Sequence, residues 1–337
     1  MYRKHILVIS AGSIGKRHLR NLQGLGCAVS AMDPDKERLE EASKQINLVN
    51  KFTDFDQALG KIEDYDGIVI GSPTKFHVQQ TIHAVSLGLP VLLEKPLSIS
   101  YEESSLLKET MDKYPHVKIL LGYTWRWWPP LNVFRKAVLE GKIGKPLHAK
   151  FVMSAHLADW HPWERYQDFF MASKELGGGA LLDESHFVDL MIWIFGMPDR
   201  VFSKVEKISD LEIETDDNVD IYAFYTHGLR VAIHLDLYGR PHERFISVTG
   251  EKGTLLWSSD PNRVRFGTEM GQIWSDQCFE FERNDMFLKV AQEFINMLDS
   301  KTQPSCTIED GIKVMKIVEA CRESSVTERM VRVDGVR

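Results

Sequence analysis

The sequence predicts an α/β protein in which an N-terminal doubly wound parallel sheet is followed by a C-terminal α/β region with an open, mainly antiparallel sheet. Two patterns lead to this prediction. In the first third of the chain, short and continuous apolar runs alternate with helical segments, which is typical of parallel strands buried on both faces. Farther along, apolar and polar residues alternate with a period of two, which indicates strands with one exposed face.

Short apolar runs mark the strands of the N-terminal region. They lie at residues 5–9, 28–32, 67–70 and 91–93. Helices are predicted at 77–87 and 101–113. The alternation of strand and helix stops near Gly122, so we predict two domains, 1–124 and 125–337.

Residues 229–236 have the clearest two-residue alternation in the C-terminal region. Related stretches lie at 147–156, 219–225, 245–249 and 264–266, and two helices are predicted at 287–298 and 308–324. One face of such a sheet packs on the core and the other stays exposed. We therefore expect the free face to serve oligomerisation.

Composition indicates which binding partners and which cellular compartment to expect. The chain has 337 residues, of which 43% are apolar and 26% charged, and its net charge of −7 argues against a nucleic-acid partner. Its four cysteines form no paired motif, so neither a disulfide framework nor a zinc ribbon is expected. No leader and no membrane-spanning apolar run is visible, so we expect a cytoplasmic protein without a membrane partner.

A glycine turn follows the first strand and opens a helical segment. In the run from Ser10 to Gly15, Gly12 leaves room for a pyrophosphate to approach the backbone, and Gly15 lets the helix close against the strand. The amides of Ser13 and Ile14 would point at the phosphate oxygens. Ser10 stands where such fingerprints usually have glycine, so we expect a slightly altered turn. The alternative is a βα turn without a ligand.

Asp33 ends the second strand, about twenty residues beyond the glycines, where an acidic side chain can accept the ribose hydroxyls of NAD. A carboxylate there also repels the 2′-phosphate of NADP, so NAD is favoured over NADP. The alternative is that Asp33 only caps the next helix, with Pro34 as its first residue.

A second group of polar residues is centred on Asp183 and His186. If this segment is helical, the two side chains share one face. Lys95 leaves the end of a buried strand, where ligands of open α/β sheets collect. Taken alone, His186 could be a hydrogen-bonded core histidine and Lys95 an exposed turn lysine. Asp183, His186 and His156 or His161 could also hold a metal, but no HExxH or cysteine pattern accompanies them, so we expect none.

These motifs together resemble the glucose-fructose oxidoreductase, inositol dehydrogenase and MocA family almost from end to end. The matching segments are Gly12 to Gly15 with Arg17 and His18, Ser72 to Thr74 with His77, Glu94 to Leu97, Gly177 to Gly179 with Asp183, His186 and Asp189, and Gly250 to Thr254. The resemblance implies a Rossmann domain over 1–124 and a domain for substrate binding and oligomerisation over 125–337, which commonly assembles as a dimer or tetramer.

The resemblance also implies hydride exchange between a bound nicotinamide and a carbinol or ketone of a sugar, sugar derivative or cyclitol. His186 would be the general base, Lys95 would hydrogen-bond the reacting oxygen, and Asp183 would position and polarise the site. The Asp183–His186 spacing is three, where family members commonly have four. The implied cofactor ligands are Ser10, Gly12, Ser13, Ile14, Gly15, Asp33, Arg38, Ser72, Pro73, Thr74, His77, Glu94 and Lys95.

Specificity is expected from residues 156–166, which are dense in aromatic, histidine and charged side chains. Aromatic rings can stack on sugar faces, and arginine can bind a carboxylate or phosphate, as in an acidic or nucleotide sugar. The same segment, like 125–130, could equally be a packing or interface loop. The expected substrate ligands are Lys95, Tyr123, Arg126, Trp160, His161, Trp163, Arg165, Asp183 and His186.

Two alternative functions remain open on the sequence. One is an NAD-using glycoside hydrolase on the same scaffold, and the other is a non-catalytic sensor of NAD or a sugar. Net NADH production distinguishes a dehydrogenase from both.

Overall fold

The computed structural model describes residues 3–160, 164–268, 270 and 273–336. These residues form two compact units. The first comprises the residues up to Thr124 together with Arg283–Ile312, and the second comprises Trp125–Glu282 together with the residues from Lys313 onward.

A parallel sheet lies at the centre of the first unit. In the described part of the chain it has six strands, β1 (His5–Ile9), β2 (Ala28–Met32), β3 (Leu48–Phe52), β4 (Gly67–Ile70), β5 (Val91–Glu94) and β6 (Ile119–Gly122). The helices between them are α1 (Ser13–Gly24), α2 (Lys36–Ser43), α3 (Phe55–Leu59), α4 (His77–Ser86) and α5 (Tyr101–Lys113). All neighbouring strands are parallel, in the order β3-β2-β1-β4-β5-β6, which confirms the predicted doubly wound sheet.

The strand order reverses beside β1, because its neighbours β2 and β4 belong to opposite halves of the sheet. In open α/β sheets, ligands bind outside the carboxyl ends of the strands at such a switch point. The segments that leave these ends are the turn at Ser10, the segment from Ser72 and the segment from Lys95.

A mixed sheet lies at the centre of the second unit. The elements that follow β6 are α6 (Pro129–Leu139), β7 (Pro146–Ser154), α7 (Ala180–Asp183), α8 (His186–Phe195), β8 (Arg200–Glu206), β9 (Asn218–Phe224), β10 (Arg230–Asp236), β11 (Glu243–Gly250), β12 (Gly253–Ser259), β13 (Asn262–Gly267) and β14 (Ser275–Cys278). The chain continues through α9 (Arg283–Leu298), α10 (Ile308–Thr327) and β15 (Val331–Arg332).

The sheet order over the described residues is β14-β13-β12-β11-β7-β10-β9-β8-β15. β7 and β10 are parallel, and the other neighbours are antiparallel, which confirms the predicted mainly antiparallel sheet. Along β10, Val231, Ile233 and Leu235 are buried, whereas Ala232 and His234 on the other face are partly exposed. This sheet therefore has one packed face and one more accessible face.

The segment 283–312 departs from the predicted division, which assigned all of 125–337 to the second domain. Within the first unit, α9 packs on α1, where the side-chain amides of Asn21 and Asn284 exchange hydrogen bonds of 3.2 and 3.0 Å. The guanidinium of Arg17 also lies over the ring of Phe287 at 4.5 Å. An amphipathic pattern reveals that a helix has a buried face, but it does not identify the element that covers it.

Over the described residues, no helix is both long enough and apolar enough to cross a membrane.

Candidate functional site

The turn after β1 keeps a tight shape although serine occupies its first position. Ser10 has a φ of 78°, in the left-handed region where glycine is usual. Its amide donates to the carbonyl oxygen of Met32 at 2.7 Å, and its hydroxyl oxygen accepts the amide of Gly12 at 3.3 Å. The hydroxyl therefore supports the turn from within.

The two glycines of the turn have different surroundings. At Gly15, α1 passes so close to the backbone of Ser10 that no side chain fits. At Gly12, an added Cβ would lie 3.5 Å from the hydroxyl oxygen of Ser10, which is ordinary contact. Packing within the protein thus requires glycine at position 15 but not at position 12. Ser13 and Ile14 form the first turn of α1, where backbone amides have no acceptor within the helix.

Asp33 follows β2 and is 1% exposed. One carboxylate oxygen accepts the amide of Ala11 at 2.7 Å, and the other accepts the amide of Asp35 at 2.9 Å. The alternative in which Asp33 caps the next helix is wrong, because α2 begins at Lys36 and Asp35 is its N-cap, accepting the amides of Glu37 and Arg38. Asp33 instead ties the glycine turn to the end of β2.

The other expected cofactor ligands of the first unit differ in exposure. Arg38 is exposed, and its Nε lies 3.6 Å from a carboxylate oxygen of Asp35. Ser72 and Pro73 are partly exposed, whereas Thr74 is 2% exposed. Ser72 also donates its hydroxyl to the side-chain oxygen of Gln80 at 2.6 Å.

His77 and Glu94 are committed to contacts within the protein. His77 is 1% exposed, with Nδ1 2.7 Å from the carbonyl oxygen of Pro96 and Nε2 2.9 Å from that of Ser72. Burial lowers the pKa of His77, against the effect of these two carbonyls. Glu94 is 6% exposed, and its Oε1 lies 2.6 Å from Nε2 of His18. Both side chains therefore hold the protein together in places where sequence analysis expected cofactor contacts.

Lys95 stands out by its accessibility. It is partly exposed, while every other residue of 91–98, a fully described stretch, is buried. Its backbone amide donates to Oε2 of Glu94 at 3.3 Å. The chain thus brings one cationic side chain to the surface at the carboxyl end of β5.

A similar arrangement occurs in the second unit around His186. Over 177–192, also fully described, His186 is partly exposed and all the other residues are buried. Asp183 is the last residue of α7 and His186 the first residue of α8, with Glu184 and Ser185 between the helices. The segment is therefore not one continuous helix, and helical spacing does not define the geometry of Asp183 and His186.

Two of the three glycines before α7 are explained by close approaches, and the third, Gly177, has a φ of 81°. A Cβ on Gly178 would lie 2.2 Å from the carbonyl oxygen of Met171, and one on Gly179, whose φ is +109°, would lie 2.3 Å from a carboxylate oxygen of Asp216. Asp216 also accepts the amides of Ala180 and Leu181, at 2.9 Å on its carbonyl and 2.8 Å on its carboxylate. Burial raises the pKa of Asp216.

Asp216 is a supporting residue that sequence analysis missed. It lies in the segment before β9, far along the chain from α7, and no local pattern links the two. The sequence offers the adjacent acidic residues Asp216 and Asp217 as a signal for such a role. A pair of this kind is equally typical of a solvent-exposed turn.

An aromatic cluster surrounds one edge of His186. The ring of Trp125 meets that of His186 edge-on at 6.5 Å and that of Trp257 at 5.5 Å. The guanidinium of Arg244 lies over the Trp125 ring at 5.0 Å. Sequence analysis did not associate Arg244 or Trp257 with this site, because strands β11 and β12 bring them there.

Arg126 and Asp189 form a buried ion pair. Arg126 Nε and Nη2 donate to the two carboxylate oxygens of Asp189 at 2.9 and 2.6 Å, and the side chains are 7% and 1% exposed. The guanidinium expected to bind substrate is thus engaged in joining the segment after β6 to α8. Tyr123, also expected to bind substrate, is 0% exposed.

The aromatic segment of 156–166 is only partly described. His161 and Trp163 lie outside the described residues. Trp160 is partly buried, and Arg165 is exposed with its Nε 4.0 Å from Asp168. Burial lowers the pKa of His156. Across the ranges that the structure describes, no three or more histidine, cysteine, aspartate or glutamate side chains are grouped to hold a metal.

Known proteins resemble this chain over most of its length. A model of an oxidoreductase family NAD-binding Rossmann fold matches residues 4–123, and one of an oxidoreductase family C-terminal alpha/beta domain matches 135–333. Glucose-6-phosphate 3-dehydrogenase of Bacillus subtilis (strain 168) is 24% identical over 65% of this chain and 63% of that protein. Inositol 2-dehydrogenase of Corynebacterium glutamicum (strain R) is 31% identical over 42% of each.

The chain therefore spans less than two thirds of the length of these two relatives. Among solved structures, an oxidoreductase from Agrobacterium radiobacter in complex with NAD+, L-tartaric acid and magnesium has the same fold, with a TM-score of 0.85, 19% identity and full coverage of both chains. Because the two family models match nearly all of the sequence, this chain belongs to the glucose-fructose oxidoreductase, inositol dehydrogenase and MocA family of NAD-binding oxidoreductases.

Proposed function

We propose that this protein is an NAD-dependent dehydrogenase or reductase that acts on a CH–OH group, or the matching ketone, of a sugar, sugar derivative or cyclitol. Glucose-6-phosphate 3-dehydrogenase and inositol 2-dehydrogenase, two of its relatives, carry names of this substrate class. A nucleotide sugar or acidic sugar belongs to the same proposal.

One observation carries the assignment of the reacting groups. Lys95 and His186 are the accessible residues of two otherwise buried stretches, 91–98 and 177–192. Burying a charged or titratable side chain is costly. Lys95 and His186 avoid that cost by staying partly exposed, although the neighbouring residues of both segments are buried. A cation and an imidazole brought out of such segments are well suited to act on a bound molecule.

The chemistry assigns each group a distinct task. NAD, when bound, supplies the acceptor for a hydride that leaves the substrate carbon. Oxidation of an alcohol also requires the oxygen to lose its proton, and His186 takes that proton as the general base, since histidine titrates near neutral pH. Lys95 donates a hydrogen bond to the same oxygen and stabilises its developing negative charge. Asp183 positions and polarises these groups.

The residues of the first unit fit a dinucleotide. The space at Gly12 allows a pyrophosphate to approach the backbone, and the first-turn amides of α1 at Ser13, Ile14 and Gly15 are available donors for its oxygens. Ser10 supports that turn, while Ser72, Pro73 and Thr74 form the neighbouring segment.

NAD is proposed in preference to NADP. The carboxylate of Asp33 is held by two backbone amides, so its negative charge is fixed where a 2′-phosphate would have to lie. Oδ1 of Asp33 accepts one amide and keeps a second lone pair for a ribose hydroxyl, whereas Oδ2 also accepts the Ser10 hydroxyl at 3.5 Å. Arg38, the nearby cation, lies beside Asp35, which offsets its attraction for a phosphate.

The remaining assignments concern assembly and location. The accessible face of the mixed sheet is proposed to build a homodimer or homotetramer. All four cysteines are free thiols, which supports a reducing cytoplasmic location. Trp160 and Arg165, with His161 and Trp163, are kept as proposed substrate ligands.

The first experiment measures NADH absorbance with purified protein, NAD and a panel of free sugars, cyclitols and UDP- or GDP-sugars, with the keto forms and NADH in parallel. The active pair is then repeated with Lys95→Ala and with Lys113→Ala at the exposed end of α5. We expect Lys95→Ala to lose about 10²-fold or more in kcat with NAD binding retained, and Lys113→Ala to behave as wild type.

Unchanged turnover in Lys95→Ala would refute the assignment. Release of an aglycone without net NADH would indicate a hydrolase, and NAD binding without either reaction would indicate a sensor.

A further inference from the structure

We infer that His18 and His77 are positioning residues for Lys95, each holding one of the two residues that flank it. The inference rests on the proposed function, in which Lys95 acts on the reacting oxygen. It assigns a task to two buried histidines that the reaction itself does not use.

His18 holds the residue before Lys95. It lies on α1, is 0% exposed, and has its Nε2 2.6 Å from Oε1 of Glu94. A proton on Nε2 of His18 makes this contact a hydrogen bond to the Glu94 carboxylate. The second carboxylate oxygen of Glu94 accepts the backbone amide of Lys95 at 3.3 Å. Through Glu94, α1 is thus linked to the backbone of Lys95.

Two neighbours fix this arrangement. The ring of Phe287 meets the ring of His18 edge-on at 6.3 Å. A Cβ on Gly122 would lie 3.2 Å from Oε2 of Glu94, so glycine at this position leaves the carboxylate room. The buried Glu94 side chain is thus held at both carboxylate oxygens, by His18 and by the Lys95 amide.

His77 holds the residue after Lys95. It lies at the start of α4, with Nδ1 2.7 Å from the carbonyl oxygen of Pro96 and Nε2 2.9 Å from that of Ser72. A carbonyl only accepts, so the neutral ring donates one hydrogen bond and the protonated ring donates both. The ring bridges the segment after β4 and the segment after β5.

The two links start from the turns that the proposed function assigns to the cofactor. α1 begins directly after the glycine turn, and His77 follows the segment from Ser72 to Thr74. A shift in either segment is passed through a buried histidine to the backbone beside Lys95. A displacement of about 1 Å in a reacting group can cost about 10²-fold in rate. Contacts that fix the backbone beside Lys95 can therefore affect the reaction rate strongly.

The test reads the Lys95 amine directly and needs no substrate. Acetylation of Lys95 by an N-hydroxysuccinimide acetate is followed by peptide mass spectrometry across pH, with and without NADH. The paired variants are His77→Asn, whose amide nitrogen replaces Nδ1, and His77→Gln, whose amide nitrogen replaces Nε2. Likewise, His18→Gln keeps a donor for Glu94 and His18→Leu removes it.

His83→Asn is the matched control, because His83 lies on α4 and its side chain is 44% exposed. We expect His77→Asn, His18→Gln and His83→Asn to label like wild type. We expect His77→Gln and His18→Leu to change the Lys95 labelling rate at fixed pH about tenfold, as a shift of one pKa unit would. NADH should alter the Lys95 labelling rate in the wild type and in the variants that label like it. It should have less effect in His77→Gln and His18→Leu.

Melting curves first establish that the variants are folded. The inference would be overturned if Lys95 were then labelled at the same rate in wild type, His77→Gln and His18→Leu. An equal change in His77→Asn and His77→Gln would do the same, because the Pro96 contact would then have no special role. If those variants do not fold, amide exchange of residues 94–97 in the wild type decides. NADH should slow it, and no effect would overturn the inference.

This outcome is separate from that of the proposed function. Loss of turnover in Lys95→Ala with unchanged labelling in the histidine variants keeps the proposed function and removes the positioning role. Unchanged turnover in Lys95→Ala removes the proposed function whatever the labelling shows.

Discussion

A Cβ atom on Gly15 would lie 1.8 Å from the carbonyl oxygen of Ser10. Since that oxygen belongs to the backbone of the turn, no side-chain movement relieves the overlap. Helix α1 therefore depends on glycine for its approach to the end of β1, and the turn that is proposed to receive the cofactor depends on the same contact.

The two glycines of this turn should separate folding from cofactor binding. Gly15→Ala is expected to lower the free energy of unfolding by about 2 kcal/mol or more, since α1 must move. Gly12→Ala is expected to unfold like wild type but to bind NAD at least about tenfold more weakly, because its Cβ occupies only the space proposed for the pyrophosphate. Urea unfolding and NAD titration by tryptophan fluorescence measure the two effects. Normal NAD affinity in Gly12→Ala would contradict the proposed site.

Replacing Asp33 should affect both stability and cofactor choice. Asp33→Ala removes the acceptors of the Ala11 and Asp35 amides and is expected to cost about 1–3 kcal/mol of unfolding free energy. NAD binding should weaken and NADP should gain relative to it. Asp54→Ala is the control, because loss of the α3 N-cap costs about 1 kcal/mol without touching the turn or Arg38. Parallel titrations with the two cofactors test this, and an unchanged NAD to NADP ratio would leave Asp33 with a structural role alone.

Two bidentate ion pairs of this chain differ in burial and should differ in strength. Asp189→Ala leaves the buried guanidinium of Arg126 without its carboxylate, and we expect a loss of about 3–5 kcal/mol. Asp159→Ala breaks the pair of Asp159 with Arg240, whose side chains are 55% and 56% exposed, and should cost far less, because solvent screens an exposed pair. Denaturant midpoints for both variants provide the comparison. Equal losses would show that burial does not govern these pairs.

The pH dependence of stability should include a contribution from His234. Hydrogen bonds to Asp236 and Asp220 raise the pKa of His234 to about 9, against the effect of burial. Because the folded pKa lies above the unfolded value of about 6.5, this stabilisation is complete below about pH 6.5 and is lost as the pH rises through about 9.

The measurement compares urea midpoints of wild type and His234→Gln from neutral to alkaline pH, which removes the contribution of other titrating groups. The difference between the two proteins should shrink as the pH rises. A constant difference would contradict the raised pKa, and NMR titration of the His234 ring gives that pKa directly.

The N-terminal fold was predictable because each of its elements is specified locally. Buried parallel strands such as 67–70 are continuous apolar runs, and the helix over 101–113 was predicted at its observed bounds. The accessible face of the second sheet was equally visible, since alternation along 229–236 requires only neighbouring residues. Lys95 and His186 were identified through motifs, and both side chains are partly exposed in the structure.

Other contacts could not be predicted because they depend on partners distant in sequence. Arg126 was expected to meet substrate, and the carboxylate that holds it comes from α8. His77 was expected to meet the cofactor, and both of its ring nitrogens face backbone carbonyls. No periodicity along the chain reports which acceptor a buried side chain will find.

The sequence by itself determined the two sheet types, the family and the identity of the candidate reacting groups, because residue period and short motifs are local properties. Only the tertiary structure decided that α9 joins the first unit, that Asp216 supports α7, and that His18 and His77 hold the neighbours of Lys95. These are contacts between segments far apart along the chain, and they are set by packing and by the need of each buried polar group for a partner.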